Sequence, residues 1–138
     1  ELGNDSALFD VTKLLAQVEL AQGDLEEALA FGQRALDLAH AIGNPEFEGI
    51  ALRVLGQAAR AAGQLADAMA HLERSVETLA TVGNKLELGR SAYELGITRS
   101  RSDPEAGRKR LRQAIQIFEE LGVGVELEKA RAAYEDLP

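Results

Sequence analysis

The sequence predicts an all-α fold: a right-handed α-solenoid of three helical hairpins followed by a C-terminal capping helix. Three observations carry this reading. The marks Gly3-Asn4, Gly43-Asn44, Gly83-Asn84 and Gly122-Val123 recur at steps of 40, 40 and 39 residues. A period in this range belongs to repeats in which each unit is one supersecondary element that cannot bury its apolar face alone. Apolar residues recur at helical spacing along almost the whole chain, and no alternating run of strand type interrupts them. Alanine and leucine dominate, whereas proline occurs only as Pro45, Pro104 and Pro138.

The period divides a single domain, 1–138, into three units and a cap. Glu1-Leu2-Gly3-Asn4 matches Ala41-Ile42-Gly43-Asn44 and Thr81-Val82-Gly83-Asn84, so residues 1–4 read as the tail of a preceding repeat. With no initiator methionine, the chain is expected to be a fragment of a larger protein. The first unit, 5–42, predicts helices over 5–21 and 24–42 around the turn Gln22-Gly23-Asp24. The second, 45–82, predicts helices over 45–62 and 65–82 around Gly63-Gln64. The third, 85–121, predicts helices over 85–101 and 104–121 around Asp103-Pro104; this turn is one residue shorter, which accounts for the final step of 39.

Local chemistry supports these boundaries. Gly23 and Gly63 suit the left-handed conformation that ends a helix. Asp103 is a strong N-cap with Pro104 in the first turn. Asn44 and Asn84 suit N-cap positions, and Pro45 suits the first position of its helix. Small residues recur where the two helices of a hairpin must approach closely: Ala16, Gly56 and Gly96 on first helices, Ala28, Ala68 and Gly107 on second ones. The last helix, over 124–136, is amphipathic. Val125, Leu127, Ala130 and Tyr134 are expected to cover the final hairpin, and Glu126, Glu128, Arg131, Glu135 and Asp136 to face water, as a terminal cap requires.

The arrangement resembles the tetratricopeptide repeat family. The resemblance rests on Leu55-Gly56 and Leu95-Gly96, on Ala-Gln-Gly-Asp-Leu-Glu-Glu-Ala (21–28) and on Ala-Gly-Gln-Leu-Ala-Asp-Ala (62–68). It covers nearly the whole chain. The period exceeds the usual length of about 34. Thr12, Leu52 and Ala92 replace the aromatic early in the first helix, and the closing proline is missing. These departures resemble the long-repeat variant of bacterial multidomain signalling and transcriptional regulators. The resemblance implies a non-catalytic scaffold for protein–protein interaction, in which the first helix of each hairpin lines a concave groove that takes a peptide or helix.

Composition sets further bounds. Cysteine is absent, so disulfides and thiol chemistry are excluded. That suits a reducing, cytoplasmic setting. No apolar run approaches 18 residues, so no membrane helix is expected. The net charge of −8 argues against nucleic acid or anionic membrane as partner. No cofactor and no metal is expected. His40 and His71 lack partners at ligand spacing, and Gly122-Val123-Gly124 lacks the third glycine and preceding strand of a dinucleotide fingerprint. Carboxylates at helix starts, such as Asp24, Glu26, Glu27 and Glu46, complement the helix dipole without an acid–base role. Nothing points to an enzyme.

Carried over residue by residue, the resemblance implies a groove stripe of Asp10, Lys13, Gln17 and Leu20 in the first unit. Ile50, Arg53, Gln57 and Arg60 follow in the second, and Arg90, Tyr93, Ile97 and Arg101 in the third. The stripe carries five cations against one anion, so an acidic peptide or helix is the expected partner, held by guanidinium–carboxylate contacts. The alternative is a solvated helix face whose arginines pair with Glu94 or with neighbouring repeats. The family's carboxylate clamp for chaperone tails is matched only in part, since Val54 and Glu94 occupy two of its positions. A basic cluster, Arg99, Arg101, Arg108, Lys109, Arg110 and Arg112, reads as an exposed hairpin corner, because no aromatics interleave for base stacking. Two other roles remain open: a ligand- or peptide-sensing module, and homodimerisation through the first helix, which is apolar around most of its circumference.

Overall fold

The computed structural model describes residues 2–138. They form seven α-helices: α1 (Leu2–Gln22), α2 (Leu25–Ile42), α3 (Pro45–Ala61), α4 (Leu65–Val82), α5 (Lys85–Arg99), α6 (Pro104–Leu121) and α7 (Gly124–Glu135). No strand occurs among the described residues.

The ends of these helices follow the turn chemistry. Asn44 and Asn84 accept hydrogen bonds from the backbone N–H of Phe47 and Glu87, both at 3.1 Å, and Asp103 accepts one from Ala106 at 3.2 Å. Gly43, Gly83 and Gly122 close α2, α4 and α6 in the left-handed conformation, with φ of 73°, 80° and 70°. A Cβ there would strain the backbone, which is why glycine recurs with the period.

Two boundaries differ from expectation. The helix of the first unit begins at Leu2, so Gly3-Asn4 continues α1, whereas Gly43-Asn44 forms a turn; Glu1, the first residue of the expected tail, lies outside the described residues. Helix α5 stops at Arg99, and Arg101 falls in the following turn. There Arg101 N–H bonds Thr98 O and Asp103 N–H bonds Arg99 O, which closes the chain early.

Packing gives the solenoid. Each helix packs on its neighbours in sequence, and the only further pairs among the described residues are α1 with α3, α3 with α5 and α5 with α7. Odd-numbered helices therefore touch one another and even-numbered ones do not. That asymmetry curves the stack, with the odd helices on its inner side, and α7 takes the place of a fourth first helix. Within hairpins the approach is close: a Cβ on Gly56 would lie 2.6 Å from Leu72 Cγ. Ala16, Ala28 and Ala68 are fully buried at the corresponding crossings. The buried core lies along these seams in three clusters, from Phe9 stacked on Phe47 with ring centroids 4.4 Å apart, through Leu72, Val76 and Leu95, to Phe118 and Ala130 at the other end.

The capping helix differs in part from its expected layout. Leu127 and Ala130 pack against the last hairpin. Val125 is 81% exposed and covers nothing. Glu126, expected in water, turns inward to Arg90.

Candidate interaction groove

On the inner side, α1, α3, α5 and α7 border a groove of about 280 Å³. Gln17, Arg53, Gln57, Arg90, Tyr93, Glu94, Phe118, Glu126 and Lys129 line it. Five of the twelve residues of the expected stripe are thus brought together: Gln17, Arg53, Gln57, Arg90 and Tyr93. Lys13 and Leu20 are half-buried on α1, outside the lining, and so is Ile97 on α5. Arg101 is exposed in the turn after α5. Arg60 turns into the seam between α3 and α5.

That seam explains what the arginines do. Arg53 Nη2 donates to Glu87 Oε2 at 2.7 Å, while its Nη1 donates to Glu87 O at 3.2 Å and Ser91 Oγ at 3.1 Å. Two helical turns further along, Arg60 Nη2 donates to Glu94 Oε1 at 2.8 Å, and its Nη1 donates to Glu94 O at 3.3 Å and Thr98 Oγ1 at 2.9 Å. The same clamp is therefore built twice, each arginine gripping a side chain and a backbone carbonyl 34 residues ahead and a hydroxyl 38 ahead. Ser91 continues the network to Ser75 at 2.8 Å, and Ser75 donates to Gly49 O at 2.6 Å. Among the described residues, no buried side-chain polar atom is left without a partner, so the network is fully satisfied, the condition under which such networks rigidify an interface. These arginines join neighbouring repeats, which is the alternative the sequence left open. Arg53, 8% exposed, spends its donors on Glu87 and Ser91, so it offers little to a partner carboxylate.

Arg90 bridges two helices. Its Nη1 donates to Glu87 Oε1 at 2.7 Å and its Nε to Glu126 Oε2 at 2.8 Å. Burial acts to raise the Glu87 carboxyl, but Arg53 and Arg90 hold it below the usual carboxylate range. For Arg90, burial acts to lower the pKa, and Glu126 and Glu87 outweigh it, so the guanidinium is held more firmly charged. Burial, aided by Glu94, raises the Tyr93 phenol, which stays a neutral donor. Lys129 lies over the Tyr93 ring, 4.9 Å from its centroid, within cation–π range.

The groove therefore presents a balanced surface, with Arg53, Arg90 and Lys129 offset by Glu94, Glu126 and the adjoining Glu87. Its free chemistry lies in the Gln17 and Gln57 amides, the Tyr93 ring and hydroxyl, the Lys129 ammonium and the outer edge of Arg90. Sequence reasoning named Glu94 only as a partner for the arginines; it missed Phe118, and missed Glu126 and Lys129 because it treated the last helix as a cap alone. The spacing of 34 shared by Arg53/Glu87 and Arg60/Glu94 is the signal that identifies the clamps. Two of the six cations of the basic cluster at the third turn are neutralised locally, Arg99 by Glu73 and Arg108 by Glu105, while Arg112 donates to Tyr134 Oη.

Stacked hairpins with a lined inner groove define a helical-repeat module. Residues 8–81, more than half of the chain, match the family model for the tetratricopeptide repeat. The chain belongs to the tetratricopeptide repeat family. Repeats of this family generally mediate protein–protein interaction and typically act as non-catalytic scaffolds. No curated protein matches the sequence. Among the described residues, no helix is long and apolar enough to cross a membrane.

Proposed function

We propose that the groove between α1, α3, α5 and α7 captures a peptide or helix of a partner protein, within a larger cytoplasmic signalling or transcriptional regulator. The observation that carries the groove assignment is its lining. Gln17, Gln57, Tyr93 and Lys129 project from four rigid positions with hydrogen-bonding capacity that no other side chain among the described residues uses, beside fixed charges already in balance. Amide side chains suit the main chain of an extended segment, and the Tyr93–Lys129 pair suits one apolar or carboxylate side chain. An acidic residue on the partner would meet Lys129 and the exposed edge of Arg90. The volume falls just under the roughly 300–1,000 Å³ usual for small-molecule sites, which favours one or two peptide side chains over a free metabolite. The period of about 40, as in bacterial multidomain regulators, supports the wider setting.

The test is selection of a displayed random-peptide library on the folded domain, followed by calorimetry on the enriched peptides. Tyr93→Ala with Lys129→Glu should weaken binding at least tenfold, about 1.4 kcal/mol, with helicity retained. Equal affinity for the variant, or no enrichment at all, refutes the assignment.

A further inference from the structure

Arg53 and Arg90 both line the groove, but their charges are met differently. The Arg53–Glu87 pair is sealed between α3 and α5, with both side chains largely buried. The side chains of Arg90 and Glu126 are 41% and 27% exposed. Their pair also stands at the edge of the fold, because α7 rests only on α6 and α5. In α7 only Ala130 is buried, and Leu127 packs beside it against Ala92, Ile117 and Phe118. These two residues seat the helix, so Glu126 can leave Arg90 without unseating it. A partly exposed ion pair of this kind contributes little to stability.

The Arg90 guanidinium is held with one edge half used. Its Nη1 donates to Glu87 Oε1 at 2.7 Å, and Glu87 is itself gripped by Arg53, so Arg90 is anchored from α5 and α3. On the other side Nε donates to Glu126 Oε2 at 2.8 Å. Nε and Nη2 form an edge that a carboxylate can grip with two parallel hydrogen bonds. Nη2 has no partner among the described residues. Glu126 therefore makes one bond where two are on offer. Gln57 and Tyr93 line the same groove.

Building on the groove as the binding site, we propose that Glu126 is a resident competitor for the partner: it occupies Arg90 in the free protein, and an aspartate or glutamate side chain of the partner segment replaces it, gripping Nε and Nη2 together. Glu126 then turns to the solvent that already reaches it, and Glu87 keeps Nη1. A neutral amide at the same place does not displace Glu126, since hydrogen bonds to an ionised group are about twice as strong as neutral ones. Selection for an acidic side chain is thus built into the groove. Affinity for the acidic segment is reduced by the fraction of time that Glu126 is engaged.

The probes are the peptides enriched on the native chain, each also made with its acidic residues replaced by the corresponding amides. By calorimetry, Glu126→Gln should tighten the acidic form at least about fivefold and the amide form less than about twofold. Glu128→Gln removes the same charge from the exposed face of α7 and should change either affinity by less than about twofold, because solvent and salt screen it. In the native chain the Arg90 Nε–H resonance should shift on adding the acidic form and stay in place with the amide form. Enriched peptides without an acidic residue, an unmoved Arg90 resonance, an unchanged affinity in Glu126→Gln, or an equal gain for the amide form or in Glu128→Gln overturns the proposal. Tyr93→Ala with Lys129→Glu reports on the groove itself. Peptides that keep their affinity for that variant bind elsewhere and overturn the groove with the competitor; peptides that lose it but ignore Glu126→Gln overturn the competitor alone.

Discussion

Replacing Arg53 with methionine tests whether the clamp between α3 and α5 is what holds adjacent repeats in register. Methionine keeps most of the volume and apolar contact of the arginine stem and removes the guanidinium. The loss covers the ion pair to Glu87 at 2.7 Å and two hydrogen bonds, to Glu87 O and Ser91 Oγ. Glu87 is 9% exposed, so its carboxylate cannot turn to water. Breaking a buried pair by removing one partner costs about 3–5 kcal/mol. Arg90 still grips Glu87 Oε1, and Ser91 keeps Ser75, so the lower end applies, about 3 kcal/mol. For a domain of this size that corresponds to a fall in melting temperature of roughly 10 °C. The second half of the cycle is Arg53→Met with Glu87→Leu, which removes both charges. Exchange of a buried pair for apolar residues is often near neutral, so the double variant should recover about 2 kcal/mol of the single loss. Urea denaturation followed by circular dichroism at constant m-value reads both numbers. A loss below about 1 kcal/mol for Arg53→Met, or a coupling energy indistinguishable from zero, refutes the clamp as the source of repeat cohesion.

Two further outcomes follow from the same packing. Gly56→Ala gains up to about 1 kcal/mol of helix propensity, but its methyl would lie 2.6 Å from Leu72 Cγ and 2.9 Å from Cδ2. Overpacking of this kind costs about 1–3 kcal/mol, so thermal melts should show net destabilisation; a raised melting temperature would mean that the seam yields. Stability should also fall in acid through Glu87. Its folded pKa lies below the unfolded value, so the stabilisation is complete above about pH 4.3 and is lost as pH drops through the lower folded value. Titration of the unfolding free energy should show this decline in the parent chain and a shallower one in Arg53→Met; parallel curves would exclude Glu87 as its origin.

Much of the fold is legible in the sequence because its determinants are local. Glycine at φ near +75° ends a helix wherever it occurs, and Asn44, Asn84 and Asp103 cap the next helix within three residues. Residues 40 apart then share an environment, so one aligned repeat places the rest. Gly56 and Gly96 reveal the hairpin crossings for the same reason, since only a missing side chain lets Leu72 and Leu111 reach the opposite backbone. The groove was half legible. Helical spacing puts Gln17, Arg53, Gln57, Arg90 and Tyr93 on inner faces, but it does not say which way a long flexible side chain turns once a neighbouring helix is present.

The sequence by itself determined the helices, their order and the residues at each seam, since turn residues and helical periodicity act over a few positions. Only the tertiary structure decided what the charged residues do. Arg53 and Arg60 meet Glu87 and Glu94 across a packed interface 34 residues away, where low exposure makes an unpaired charge costly and commits each guanidinium to its neighbour. It also brought Glu126 and Lys129 of α7 into the groove. Curvature sets those contacts, and curvature is the sum of every helix crossing that precedes them.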